Sequence, residues 1–301
     1  MDRFGEMHIF VRIVERRSFT KAATDLMIPR ATVTNAIQRL EERLGTRLLE
    51  RTTRQVKPTL DGEAYYQRCR RILFDLEDAD GLFRQTMPKG LLRVNLQGTL
   101  ARKFIIPALP GFMSAYPELT LLIADSDRYV DLVQEGYDCV VRSGELSDST
   151  MIVRRLTLLP TVTLASPDYF GKIGIPETLD DLTTQNHQAV GYLSGANDRP
   201  VPLDFTVGGV LRQVMLPASV SVTGADLYMA AGLAGLGLIQ VPRYRVIEDL
   251  RAGALVEILP EYPPEPMPVS VLYPQNRQLS PRVRAFADWL TALFRTLHFG
   301  S

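Results

Sequence analysis

The chain is poor in the residues that most often carry metal and redox chemistry: its 301 residues include two cysteines, three histidines and one tryptophan. Cys69 and Cys139 are too few and too far apart for a disulfide framework. His8, His187 and His298 are scattered, and none sits in the helical spacing of a zinc site. No phosphate-cradling Gly-Lys loop or serine-elbow motif occurs, and Gly232, Gly235 and Gly237 do not follow a strand in dinucleotide-binding order. No catalytic residue, metal or cofactor is therefore expected. Long hydrophobic runs are missing too. The longest, from Leu227 to Val241, is broken by glycines and too short to span a bilayer comfortably, and no charged-then-apolar signal opens the chain. A cytoplasmic protein with no membrane role is expected. At 46% hydrophobic residues, a chain of this length can bury two or more cores.

What is present is concentrated between Ser18 and Thr59. Phe4, Met7, Phe10, Val11 and Val14 recur at the three-and-four spacing of a helix face, predicting a first helix up to about Arg16. Ser18 suits the N-cap of a second helix whose inner face is Ala22, Ala23 and Leu26. Pro29 suits the first position of a third, with an apolar stripe of Val33, Ile37, Leu40 and Leu44 that stops at Gly45. Two short helices thus flank one tight turn. The outward positions of the third carry Arg30, Thr32, Thr34, Asn35 and Gln38, groups that can bond to base edges or phosphates. Any amphipathic helix has a polar outer face, so this face alone does not decide. Behind it, Arg47, Arg51, Arg54 and Lys57 share a loop with one acid, Glu50, as a wing gripping phosphates or a minor groove requires.

The formal net charge of zero hides two halves of opposite sign. Residues 1–58 hold twelve Lys/Arg against seven Asp/Glu, and residues 90–301 hold seventeen against twenty-one. A basic head attracts a polyanion, and an acidic body disfavours indiscriminate sticking to it. Between them Thr59 can cap a long helix, with Asp61 and Glu63 in its first turn. Tyr65, Cys69, Ile72, Leu76, Ala79 and Phe83 form a seam of nearly three heptads, ended by Pro88 and Gly90. Such a helix either pairs with a second copy or packs on its own domain. Pairing would hold two heads at the fixed spacing that a two-fold repeated DNA site demands.

The run from Ser18 through Ala22-Ala23, then Ala36 to Gly45, Leu49 to Arg54 and Thr59-x-x-Gly62 resembles the amino-terminal signature of LysR-type transcriptional regulators. Leu91 to Pro117, Asp131 to Gly136 and the Gly232-x-x-Gly235-x-Gly237 stretch ending at Pro242 fit the same family, so the likeness covers the whole chain. Two positions depart from it: Thr34 stands where serine is common, and Leu48-Leu49 where Leu-Phe is usual. The resemblance implies a multi-domain protein. An all-α winged helix-turn-helix head (1–58) and a linker, or dimerisation, helix (59–89) precede an α/β effector domain (90–301) with two lobes, like a periplasmic binding protein. Lobe I would be about 90–160 with 269–301, and lobe II about 161–268. The implied partners are a pseudo-palindromic double-stranded DNA operator, a small-molecule effector, and further copies of the chain as a homodimer or homotetramer. Ser18, Thr20, Arg30, Thr32, Thr34, Asn35, Gln38, Arg51 and Arg54 are the expected DNA-binding residues.

In the body, Leu92 to Leu96, Leu119 to Ala124 and Cys139 to Val141 read as strands, and Phe104 to Tyr116 and Val130 to Glu135 as helices. The alternation implies mainly parallel sheets, with ligands beyond the strands' carboxyl ends. Gln97, Gly98 and Thr99 follow the first strand and would offer N–H groups and a hydroxyl to a carboxylate. Ser126 follows the second strand; Arg142, Ser143 and Gly144 follow the third. Arg142 could clamp a carboxylate or pair with Asp125 or Asp127. Ser194 and Thr223 are the candidates on the second lobe. An enzyme fused to a DNA-binding head, or a solute-binding module without DNA recognition, are the competing readings.

Overall fold

Three short helices, a hairpin and one long helix make up the first of the two units into which the chain divides, Met1–Thr86 and Met87–Ser301. The computed structural model describes residues 2–51, 56–84, 87–126, 135–144, 151–193, 199–275 and 280–299. At positions 51, 71, 74, 75 and 77–84 it describes the main chain alone.

In the first unit, helix α1 (Arg3–Arg16) begins where the Asp2 carboxylate accepts the Gly5 N–H at 2.8 Å. Helix α2 (Phe19–Asp25) is capped by Ser18, whose hydroxyl oxygen accepts the Lys21 N–H at 3.3 Å, as its sequence predicts. Its far end closes with two crossed bonds, Ile28 N–H to Ala23 C=O at 3.1 Å and Met27 N–H to Thr24 C=O at 3.2 Å. That closure forces Met27 to a left-handed φ of 53° in the turn between the two helices. Helix α3 (Arg30–Leu44) follows. Pro29 is its N-cap rather than its first helical residue, with φ −61° and an extended ψ of 141°. Its ring fixes φ in either role, and the turn decides ψ. Gly45 ends α3 at φ 68°. Phe10, Ile13, Ala22, Val33, Ala36, Ile37 and Leu40 form the core where the three helices meet.

Strands β1 (Leu49–Arg51) and β2 (Val56–Pro58) pair antiparallel as the wing, and helix α4 (Leu60–Arg84) leaves directly after it. The Thr59 hydroxyl caps α4 by accepting the Gly62 N–H at 2.9 Å and donates to the Arg47 carbonyl at 2.8 Å. A Cβ at Gly62 would lie 1.9 Å from the Leu48 carbonyl oxygen, so only glycine lets α4 approach the wing this closely. The expected heptad seam divides. Tyr65 and Cys69 pack into the head's own core, Tyr65 with its ring 5.6 Å from Phe10, whereas Ile72 and Leu76 stay exposed. Cys69 is small and apolar enough to be used as core. The side chains of Ala79 and Phe83 lie outside those described.

The second unit contains a five-stranded sheet in the order β4-β3-β5-β14-β6, formed by Leu119–Asp125, Gly90–Leu96, Cys139–Ser143, Met267–Pro274 and Met151–Leu159. β3 runs parallel to β4 and β5, but β14 is antiparallel to both its neighbours, so the sheet is mixed rather than mainly parallel. β6 and β14 are the long strands by which the chain leaves this sheet and returns, and a returning strand laid beside an outgoing one is antiparallel. One face is covered by a helix that begins as α5 (Gly98–Leu100), widens into a π-turn (Ala101–Ile105) and continues as α6 (Ile106–Ala115). The helix expected around 130–135 lies almost wholly outside the described residues.

The intervening chain builds a second lobe. Its three-stranded sheet has the order β12-β7-β13 (Ile239–Pro242, Thr161–Ala165, Val256–Glu257). Beside it lie the parallel pair β8 (Gly191–Tyr192) and β11 (Ser221–Val222) and the hairpin β9 (Leu203–Val207) and β10 (Val210–Val214). Helices α7 (Pro167–Ile173), α8 (Asp181–Thr184), α9 (Ala225–Leu233) and α10 (Ile247–Arg251) belong to this lobe; Gly232 lies within α9, and Gly235 and Gly237 form the turn from α9 into β12. Helix α11 (Pro281–Thr296) returns to the first lobe and buries Val283, Phe286, Leu290 and Phe294. A buried ion pair anchors it, with Arg282 Nη2 3.1 Å from Asp138 Oδ1, whose other oxygen accepts the Arg93 N–H. Among the described residues no helix is long and apolar enough to cross a membrane.

Two consequences for stability are testable. Met27→Gly is expected to raise head stability by about 1 kcal/mol, because a left-handed conformation strains any residue with a Cβ; the urea midpoint of the head's unfolding transition checks it. His187 is fully buried, its Nδ1 3.1 Å from the Tyr169 hydroxyl and its Nε2 without a partner among the described residues. Burial holds its pKa below the ordinary histidine value. The folded chain therefore resists a proton that the unfolded chain accepts, so this contribution is complete above about pH 6.5 and is lost as pH falls through it. His187→Gln is expected to flatten the fall in melting temperature between pH 7.5 and 5.5; an identical fall in both proteins would contradict this.

Candidate functional site

The polar face of α3 is presented as its spacing predicts: Arg30, Asn35 and Gln38 are exposed, and Thr32 and Thr34 are half-buried. Thr34 donates its hydroxyl proton to the Arg30 carbonyl at 3.1 Å, so toward a partner it offers lone pairs and a methyl group. That combination can accept from a base amino group or pack on a thymine methyl. Ser18 is the reverse case, since its oxygen accepts the cap bond and its proton remains to be donated. Thr20 is exposed beside it. The main chain of Arg51 pairs with Val56 in the wing, whereas the Arg51 side chain and residues 52–55, including Arg54, lie outside the described residues.

The orientation of α3 depends on a residue that sequence reasoning missed. Glu6 of α1 is 6% exposed, and its carboxylate meets Arg39 Nε at 3.3 Å and Arg43 Nη2 at 3.0 Å. Two arginines of α3 are thereby engaged with α1. Glu41, on the same helix, accepts the N–H groups of Leu48 and Leu49 at 2.8 and 3.1 Å and so fixes where the wing begins. These partners are up to 37 residues apart in sequence, and no local spacing reveals them.

In the second unit, the parallel β3, β4 and β5 bring Gln97 to Thr99, Ser126 and Ser143 to one sheet edge. Ser143 donates its hydroxyl to the Gln97 side-chain carbonyl, and Ser126 N–H bonds to the Leu96 carbonyl at 3.2 Å. A Cβ at Gly98 would stand 2.6 Å from Asp125 Oδ2, so glycine is what lets that carboxylate lie against the first turn of α5. Arg142 donates to the Asn95 side-chain oxygen at 2.7 Å and to the Val141 carbonyl at 3.0 Å. Asn95, buried one residue before the end of β3, is a partner that the strand-end argument did not suggest. Thr99 is bonded across to the second lobe, its hydroxyl donating to Asp226 at 3.0 Å. Asp226 also meets Arg102 at 3.3 Å and Arg245 at 2.7 Å. Thr223 is exposed just ahead of α9, and Ser194 lies outside the described residues.

Residues 4–63 match the model of the bacterial regulatory helix-turn-helix protein, lysR family, and residues 85–295 that of the LysR substrate binding domain. The chain belongs to the LysR family of transcriptional regulators. It is 39% identical to the uncharacterized HTH-type transcriptional regulator YhjC of Escherichia coli K12, over 98% of this chain and 99% of that one. It is 33% identical to the HTH-type transcriptional activator AaeR of the same strain, over 98% and 94%. Among solved structures, full-length CrgA, a LysR-type transcriptional regulator from Neisseria meningitidis, superposes with a TM-score of 0.55 at 27% identity, over 96% and 98% of the two chains.

As a LysR-type regulator the chain thus joins a helix-turn-helix head to an effector-binding domain, and the two sets of residues just described lie in those two parts. Glu41→Ala removes the acceptor of two main-chain N–H groups at the wing's start. It is expected to destabilise the head by about 1–3 kcal/mol, the cost of unmade buried bonds, and to raise hydrogen exchange at Leu48 and Leu49. Unchanged exchange there would refute the role given to Glu41.

Proposed function

We propose that the head reads a pseudo-palindromic operator with α3 in the major groove and the wing on the flanking phosphates. Ser18, Thr20, Arg30, Thr32, Thr34, Asn35 and Gln38 supply the first surface, and Arg51 and Arg54 the second. The observation that carries this reading is the exposure of Arg30, Asn35 and Gln38 on one helix face directly after the tight Met27 turn. Two heads are held together through α4 as a homodimer, and dimers pair into a homotetramer. Exposed Ile72 and Leu76, together with the half-exposed Phe4 beside a 210 Å³ groove lined by Phe4, Gly5, His8, Leu73 and Leu76, support that role for α4. A coiled coil wants such an unpaired apolar strip.

A small carboxylate effector binds where the strand ends of the first lobe face the second. Gln97, Gly98, Thr99, Ser126, Arg142 and Ser143 form one wall, and Ser194 and Thr223 contribute from the other. The effector must bind two arrangements of the lobes unequally to shift the equilibrium between them. The chain acts without catalytic turnover, in the cytoplasm.

Fluorescence anisotropy with operator and random duplexes across a salt series tests the DNA reading. Thr34→Ala and Asn35→Ala are each expected to lose about 1–3 kcal/mol on the operator and little on random DNA. Arg54→Ala is expected to reduce the log-log salt slope by about one. Equal losses on both duplexes, or an unaltered slope, would overturn the assignment.

A further inference from the structure

The hydroxyl that should receive an effector carboxylate already holds one. Asp226, in the first turn of α9, accepts the Thr99 hydroxyl at 3.0 Å. Its other oxygen meets Arg102 Nη2 at 3.3 Å, and Arg245 Nη2 reaches Oδ1 at 2.7 Å. Arg102 Nη2 also lies 3.4 Å from the Thr99 oxygen, so four polar groups close on one point. Thr99 and Arg102 come from the first lobe; Asp226 and Arg245 come from the second.

The four groups are unequally placed. The Asp226 and Arg102 side chains are 69% and 70% exposed, and that of Arg245 only 7%. Arg245 Nε has no partner among the described residues. A buried guanidinium left without an anion is costly, whereas an exposed aspartate can rotate into water at little cost. Two guanidiniums face a single carboxylate, which leaves the cluster one positive charge in excess. Burial pushes the Asp226 carboxyl up, but the Thr99 hydroxyl and the two arginines outweigh it and hold the group below its ordinary range, so it remains an anion at neutral pH.

We propose that Asp226 is the resident occupant of an anion seat made by Thr99, Arg102 and Arg245, and that the carboxylate of an organic-acid ligand enters by displacing it. The proposal rests on the cleft reading above and adds to it a built-in competitor. While Asp226 is seated, the bond between the lobes is internal to the chain. When a ligand takes its place, Arg245 keeps an anion and the bridge to Thr99 and Arg102 passes through the ligand. An uncharged molecule of the same shape cannot make the exchange, because it would leave Arg245 uncompensated. Apparent affinity is then the intrinsic affinity reduced by the fraction of molecules in which the seat is vacant.

Isothermal titration of the full chain with benzoate, and with benzamide as its neutral counterpart, tests this. Asp226→Asn keeps the shape and removes the competing charge; it leaves Arg245 without its resident anion, so a thermal melt first verifies that the variant is folded. It is expected to bind benzoate at least about tenfold more tightly than the unsubstituted chain, as release of an internal competitor requires, and to leave benzamide binding unchanged. Equal or weaker benzoate binding by Asp226→Asn, or no benzoate binding by either protein, overturns the proposal. Thr99→Ala separates the two levels of argument. If it abolishes benzoate binding while Asp226→Asn changes nothing, the cleft stands and the resident carboxylate is refuted. If neither substitution alters binding, the cleft reading itself fails along with it.

Discussion

The presentation of the polar face of α3 depends on one buried carboxylate. Glu6 is held between Arg39 and Arg43, and this clamp joins α1 to the half of α3 that faces away from its exposed Arg30 end. A carboxylate at 6% exposure would be strongly unfavourable alone; with two guanidiniums it becomes a directional joint that apolar packing cannot supply. Packing of Phe10, Ile13, Ala36, Ile37 and Leu40 brings the helices together, but such contacts tolerate rotation. The ion cluster selects one rotation, and with it which side chains of α3 look outward. Arg39 and Arg43 consequently serve the joint between α1 and α3, although their residue type suggests a nucleic-acid contact.

The wing is tied to the same frame by a second set of bonds. Glu41 accepts from Leu48 and Leu49, Thr59 caps α4 while holding Arg47, and Gly62 lets the helix lie against the Leu48 carbonyl. All of these converge within two residues of Leu48. Helix α3, the wing and α4 therefore share a single junction, which couples the direction of α4 to the elements proposed to contact DNA.

Much of this was legible in sequence because it is local. Helix caps at Ser18 and Thr59, the stop at Gly45 and the strand patterns at 92–96 and 119–124 each follow from a few neighbouring residues, and the structure places them within a residue or so. Pro29 moved by one position because proline constrains φ and not ψ. The heptad seam was read too broadly, since periodicity reports that a face is apolar and not what covers it; Tyr65 and Cys69 are covered by the head itself. In the second unit, Gln97, Thr99 and Ser143 were recoverable as strand-end residues. Asn95, Arg102, Asp226 and Arg245 were not, because each acquires its meaning from a partner brought near only by the fold, Thr99 and Asp226 being 127 positions apart.

The place of β14 in the five-stranded sheet has a consequence for biosynthesis. It lies between β5 and β6, yet its residues follow the whole of the second lobe in the chain. On the ribosome, the head and the intervening lobe emerge with all their own strands, while β5 and β6 must wait more than a hundred residues with unsatisfied edges. The first lobe is then the last part of the molecule to mature, and the interval before β14 arrives is when nascent chains are most exposed to mispairing with one another.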